Sequence, residues 1–165
     1  MISLTINNTA DFMNKLLVNE TFDNLLLSEA TFQTACSYTI DGRINPSFYN
    51  SEELQEIGNR IYMTWKSQRP HAFNLIKGSK VPTSLKIIFA LSETATAKLI
   101  KDNNIDLALE DIDGLFININ YKDDQVTIIT GTSLKVFTLD KTLEKAFDNY
   151  LLNTFDACKI SYTQN

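Results

Sequence analysis

Apolar and polar residues alternate along much of this chain, and where the spacing changes to three or four residues the sequence predicts helices. Ile2 to Ile6 alternates and reads as a short strand. Asn8 or Thr9 then caps a helix through about Val18, with Phe12 and Leu16 one turn apart and Met13 and Leu17 beside them. Leu25 to Ile40 reads as extended. Ala30, Phe32, Cys36, Tyr38 and Ile40 share one parity, and Glu29, Thr31, Gln33, Ser37 and Thr39 take the other, the pattern of a half-buried strand. Asp41-Gly42 follows as a hairpin signal, with a return strand from Arg43 and Pro46 at an edge or at the strand's end.

Asn50 and Glu53 form a capping-box-like pair ahead of a helix in which Leu54, Ile57, Ile61, Tyr62 and Trp65 keep helical spacing. Gly58 weakens that helix by about 1 kcal/mol relative to Ala and reads as a point of close packing. Pro70 ends the helix or opens a second short one. Gly78 and Pro82 bracket a loop. Leu85 to Leu91 is the next strand, and Ser92 caps a helix near Glu93 to Asp102. Leu115–Tyr121 and Val126–Thr130 form a hairpin turning at Asp123-Asp124, Gly131-Thr132 marks another turn, and Leu134, Val136 and Phe137 suit a further strand. Asp140 caps a last helix with an apolar stripe of Leu143, Ala146, Phe147, Tyr150 and Leu151, and the tail beyond Ala157 frays or adds an edge.

The fold class this predicts is α+β, mainly antiparallel sheet with about four helices, in a single domain over residues 1–165. The order strand, helix, hairpin, helix occurs twice, which suggests structural repeats at 1–80 and 84–157. Such a unit is loosely like that of DNA-polymerase sliding clamps, an analogy of fold alone. Helices of such a clamp face DNA and are basic, whereas the first helix here carries Asp11 and Lys15, a neutral pair. An ordinary α+β domain with alternating elements is the competing reading.

The chain has 165 residues, 44% hydrophobic and 21% charged, and no apolar run of membrane-spanning length, which excludes disordered, collagen-like and transmembrane classes. Its start, Met1 to Ile6, has neither a basic region nor a long apolar one, so a cytoplasmic location is expected. Cys36 and Cys158 have no partner spacing and read as reduced, buried residues.

Charge changes this picture more than composition does. The net charge is −5, yet Ile57 to Ser92 contains no acidic residue and carries Arg60, Lys66, Arg69, Lys77, Lys80 and Lys86 with the only histidine, His71. Tyr62, Trp65 and Phe73 interleave with these cations. Arg60, Trp65, Lys66, Arg69, His71, Lys77 and Lys80 are therefore the candidate site for a polyanion or a protein partner, with bases stacking on aromatics and cations meeting phosphates. The competing reading makes the aromatics core anchors and leaves the cations solvated.

No catalytic constellation emerges. A triad would have to use His71, and no Gly-x-Ser-x-Gly elbow is present. Cys36 sits in an alternating strand, facing inward, without a helix N-terminus to activate it. Asp106, Glu110, Asp111 and Asp113 lack the ligand spacing of a calcium loop, and no metal or cofactor is expected. Lys77-Gly78-Ser79-Lys80 resembles a phosphate loop only superficially, and Gly131-Thr132-Ser133 is explained by a tight turn. The functional expectation is a binding or interaction protein without membrane association, a protein partner being favoured. A nucleic-acid-associated role and an enzyme with a carboxylate site stand as alternatives.

Thr21-Phe22-Asp23-Asn24-Leu25-Leu26-Leu27-Ser28-Glu29-Ala30, Thr39-Ile40-Asp41-Gly42, Trp65 with Arg69-Pro70, Leu75-Ile76-Lys77-Gly78, Asp113-Gly114-Leu115-Phe116 and Thr130-Gly131-Thr132-Ser133-Leu134-Lys135 together resemble a family of uncharacterised proteins of similar length from anaerobic Gram-positive bacteria. The resemblance covers nearly the whole chain. It implies a compact cytoplasmic domain and transfers no activity.

Overall fold

Among the described residues, strand and helix patterns resolve into one eight-stranded antiparallel sheet with five α-helices. The computed structural model describes residues 1–78 and 80–165. In chain order the elements are β1 (Ser3–Ile6), α1 (Thr9–Leu17), β2 (Leu26–Gln33), β3 (Ser37–Asp41), α2 (Ser51–Ile57), β4 (Met63–Thr64) and α3 (Trp65–Ile76). They continue with β5 (Ser84–Ala90), α4 (Glu93–Asp102), β6 (Ile112–Lys122), β7 (Gln125–Leu134), α5 (Thr142–Ala157) and β8 (Tyr162–Gln164). The strand order is β3-β2-β5-β6-β7-β1-β8, with β4 also paired to β2. Strand, helix, hairpin and helix do recur along the chain, but β5 lies between β2 and β6 whereas β1 lies between β7 and β8.

Alternation gives the sheet two unlike faces. Ala30, Phe32, Leu85, Ile87, Phe89, Leu115, Ile117, Ile119, Val126 and Ile128 are buried on one face. Phe12 of α1, Trp65 of α3 and Phe155 of α5 pack there in an aromatic cluster with Phe22 and Phe89. Leu143, Phe147 and Leu151 of α5 are buried with them. The opposite face carries polar rows that run strand to strand. Thr39, Thr31, Lys86, Asn120, Thr127, Thr5 and Thr163 are consecutive cross-strand neighbours.

Several local expectations are corrected. The chain reverses at residues 34–36, where the Thr34 N–H donates to the Cys36 carbonyl, not at Asp41-Gly42. Ala30 still faces Ile40 and Phe32 still faces Tyr38, so the parity holds through the turn while Cys36 is exposed at its tip. Gly42 serves close approach instead: a Cβ there would stand 1.7 Å from the Leu27 carbonyl oxygen. Beyond it Arg43 bridges Tyr62, and Pro46 opens a 3₁₀ turn. The helix begun by Asn50 stops at Ile57, where Gly58 adopts φ +66°; no atom lies within 4 Å of where a Cβ would stand, so close packing is not its role. Trp65 begins a separate helix, and Pro70 sits inside it. Gly131-Thr132 continues β7, while Val136 and Phe137 are exposed beyond the strand. Both cysteines are free, and neither is fully buried. The tail adds an edge, β8 on β1.

Candidate functional site: a groove at one end of the sheet

Local chemistry at the α4 end of the sheet leaves a groove of about 990 Å³. Leu26, Ala90 and Phe116 form its floor as one cross-strand row of the polar-face parity. Three segments wall it. The first is the turn after α2: Gly58 stops the helix, and Asn59, Arg60, Ile61 and Tyr62 cross toward β4. The second is the start of α4, where the Ser92 hydroxyl accepts from the Ala95 N–H at 3.2 Å. Glu93 and Thr94 occupy the first two helical positions, whose N–H groups have no acceptor within the helix. The third is a second 3₁₀ turn, Leu109–Asp111, and the beginning of β6. A bulge between Ile112 and Gly114 presents Asp113, which accepts from Ser133 at 3.0 Å. Gly114 keeps room for the Phe116 ring, since a Cβ there would lie 2.5 Å from it. Lys135 reaches the groove after β7, its N–H held by the Asp111 carbonyl at 2.8 Å.

The electrostatics of the groove centre on Arg60. Its Nε is buried and has no hydrogen-bond acceptor among the described residues. A buried donor left without an acceptor costs about 1–3 kcal/mol, and more when charged. Arg60 and Lys135 take part in no ion pair among the described residues. Glu93, Glu110 and Asp113 line the same groove, so its walls carry two cations and three carboxylates.

The seven residues expected to form one site occupy different surroundings. Trp65 is fully buried, and its indole N–H donates to the Leu16 carbonyl at 2.9 Å. Arg69 pairs with Asp23 and also donates to the Val18 carbonyl; the Asp23 carboxylate raises its guanidinium pKa above the usual value. Lys66, His71, Lys77 and Lys80 are exposed, and Lys66, Pro70, Phe73 and Lys77 follow one another along the outer side of α3. Of the seven, Arg60 alone lines the groove. Ser79, within the lysine-glycine run considered for phosphate binding, lies outside the described residues.

Sequence reasoning missed Leu26, Ile57, Glu93, Thr94 and Lys135 as groove residues. The Ser92 cap and the Asp113-Gly114 pair were visible, but each has a purely local explanation. Three of the stretches behind the family resemblance, at Thr21–Ala30, Asp113–Phe116 and Thr130–Lys135, contribute groove residues. Asp23, Gly42, Trp65 and Arg69 from the same set of stretches hold the core side together.

The class defined by these features is an α+β protein with a single antiparallel sheet, helices α1, α3 and α5 packed on one face and a mixed polar and apolar groove at one end. The chain belongs to a family of unknown function, DUF5721, whose model matches residues 15–163. No curated protein and no solved structure matches it. Among the described residues no helix is long and apolar enough to cross a membrane.

Proposed function

We propose that this is a binding protein and that the groove walled by Arg60–Tyr62, the start of α4 and Asp113–Phe116 is where its partner seats. The observation that supports the reading is a groove of about 990 Å³, a size in the range of ligand sites, on whose wall Arg60 takes part in no ion pair among the described residues. Apolar side chains belong to it: Ile57, Ile61 and Phe116 line the groove, and Ile61 is 59% exposed. Such residues favour an occupant with apolar surface, as a protein or a small organic ligand has. Screening small aromatic and aliphatic fragments against ¹⁵N-labelled protein tests the reading. Shifted amides should cluster at Arg60–Tyr62, Ser92–Thr96 and Glu110–Phe116. Clustering on the polar sheet face, or no clustering, overturns it.

A second reading places nucleic acid on the outer side of α3, favoured by the exposed Lys66, His71, Phe73 and Lys77 in a stretch free of acidic residues. Amide shifts confined to that helix upon adding an oligonucleotide would favour it over the groove.

A further inference from the structure

We infer that the outer edge of β3 pairs with β3 of a second copy of this chain, antiparallel about Thr39, so that two sheets join into one. β3 ends the strand order, and among the described residues it pairs with β2 alone. The Gly42 N–H donates to the Ser28 carbonyl, and the Thr34 N–H donates to the Cys36 carbonyl. Bonded pairs alternate along an antiparallel ladder. Tyr38 and Ile40 therefore bond to β2, while Ser37, Thr39 and Asp41 turn their N–H and C=O groups away from the sheet. Sheet edges are ordinarily blunted by proline, lysine, a bulge or a covering element. β3 has none of these: it reads Ser-Tyr-Thr-Ile-Asp, its register with β2 is unbroken, and only Ile40 is not exposed. The opposite edge, β8, is only 3 residues long.

Side-chain chemistry selects a second copy and fixes the register. Centred on Thr39, a two-fold pairing sets Thr39 against Thr39 and Ser37 against Asp41, and every outward residue of both strands bonds, about six hydrogen bonds in all. Moving the centre to Tyr38 or Ile40 leaves Asp41 or Ser37 opposite a residue outside the strand, and moving it to Asp41 opposes two carboxylates. The Ser37 hydroxyl accepts from the Gln33 amide at 3.0 Å and keeps its own O–H to donate to Asp41 across the two-fold. On the core-side face Tyr38, 39% exposed, meets Ile40, and aromatic and β-branched side chains stabilise each other across strands. An edge this short buries less than the about 1,200 Å² of a standard interface, so the dimer is weak and concentration-dependent.

The test measures sedimentation equilibrium and amide hydrogen exchange of the full ¹⁵N-labelled chain from about 10 μM to about 1 mM, the span of a weak complex. The mass should rise from monomer toward dimer. Exchange at Ser37, Thr39 and Asp41 should slow with concentration, while the outward amides of Tyr162 and Gln164 on β8 stay unchanged. Thr39→Pro removes an N–H that the fold does not use and should abolish the dimer with little change in thermal midpoint. Thr39→Lys keeps the backbone and serves where the proline variant does not fold. It sets two ammonium groups opposite each other and should weaken association at least tenfold. An equimolar mixture of Thr39→Lys and Thr39→Glu should associate more tightly than either variant alone, because position 39 faces itself only in this register. A chain that stays monomeric at about 1 mM overturns the inference. So does slowed exchange on β8 in place of β3, undiminished association of Thr39→Lys, or a mixture no tighter than its components.

Discussion

Arg69 and Asp23 form a two-pronged ion pair, Nε standing 2.9 Å from one carboxylate oxygen and Nη2 3.0 Å from the other. The side chains are only 16% and 10% exposed, so little water is available to replace either partner. Replacing Arg69 with Ala leaves the Asp23 carboxylate nearly buried and unpaired, at an expected cost of about 3 kcal/mol in chemical denaturation. Arg69→Lys keeps the charge but not the fork and should recover only part of the loss. The double variant Arg69→Met with Asp23→Leu should be closer to wild type than Arg69→Ala, because it removes the stranded charge. A double variant less stable than Arg69→Ala would show that the pair does more than compensate its own burial.

Trp65 is the only tryptophan and is fully buried, which makes it a reporter of the core and not of the surface. Its emission should be blue-shifted and little quenched by iodide until the protein unfolds. Trp65→Ala should cost about 3–5 kcal/mol, from lost packing against Phe89 and the lost bond to the Leu16 carbonyl. Red-shifted emission in the native protein, or ready iodide quenching, would contradict this placement.

Much of the fold was legible because its signals are local. Ser92 fixed the start of α4 through its hydroxyl, and Asp123 and Asp124 adopt φ of 51° and 59° at the turn between β6 and β7. The turn at 34–36 was not legible for a specific reason. Three residues separate the last pair, Gln33 and Ser37, so inward and outward positions keep their parity through the reversal and imitate one long strand. Trp65 and Arg69 lie one turn apart on α3, but nothing local shows which side of the helix is buried. Asp23, the partner of Arg69, lies 46 residues away. The groove is the extreme case, since its walls come from three separated segments. Arg60 stood out as one of several cations, while its isolation from acceptors exists only in the folded chain.

Gly42 should tolerate no side chain. A Cβ would lie 1.7 Å from the Leu27 carbonyl oxygen, beside the bulge between Leu27 and Glu29, and backbone cannot yield as a flexible side chain does. Gly42→Ala is expected to cost about 3 kcal/mol or more. Gly58→Ala meets no atom but puts a side chain at φ +66° and ψ −136°, outside the left-handed helical region, so about 1–3 kcal/mol is expected from strain alone. Equal losses in the two variants would argue against the close approach.

Alkaline pH should destabilise the protein through two tyrosines. Burial raises the phenol pKa of Tyr121 above the usual 10.0, and its hydrogen bond to Asp124, 3.0 Å long, adds to the effect. Burial likewise raises Tyr150. A raised folded-state value means the unfolded chain releases the proton first. The stabilisation is full below pH 10.0 and is lost as pH rises through the folded-state value. Thermal midpoints should fall across that window, and the fall should be shallower in Tyr121→Phe and Tyr150→Phe. An unchanged slope in both variants would assign the alkaline loss to other groups.

The exposed cations of α3 set a ceiling on nucleic-acid binding that salt can measure. Trp65 is buried and Arg69 is held by Asp23, which leaves Lys66, Lys77 and Lys80 as the exposed lysines of the seven residues, on α3 or just beyond it. Three phosphate contacts to a single strand give a slope of log affinity against log salt of about −2. The anisotropy of a labelled oligonucleotide should therefore show weak binding with a slope no steeper than about −3. Lys66→Gln with Lys77→Gln should flatten it further. A slope near −6 would require phosphate contacts well beyond α3. The polar sheet face holds further candidates in Lys86 and Lys122, exposed on neighbouring strands. That outcome would move the nucleic-acid reading ahead of the groove and direct mutagenesis to those two lysines.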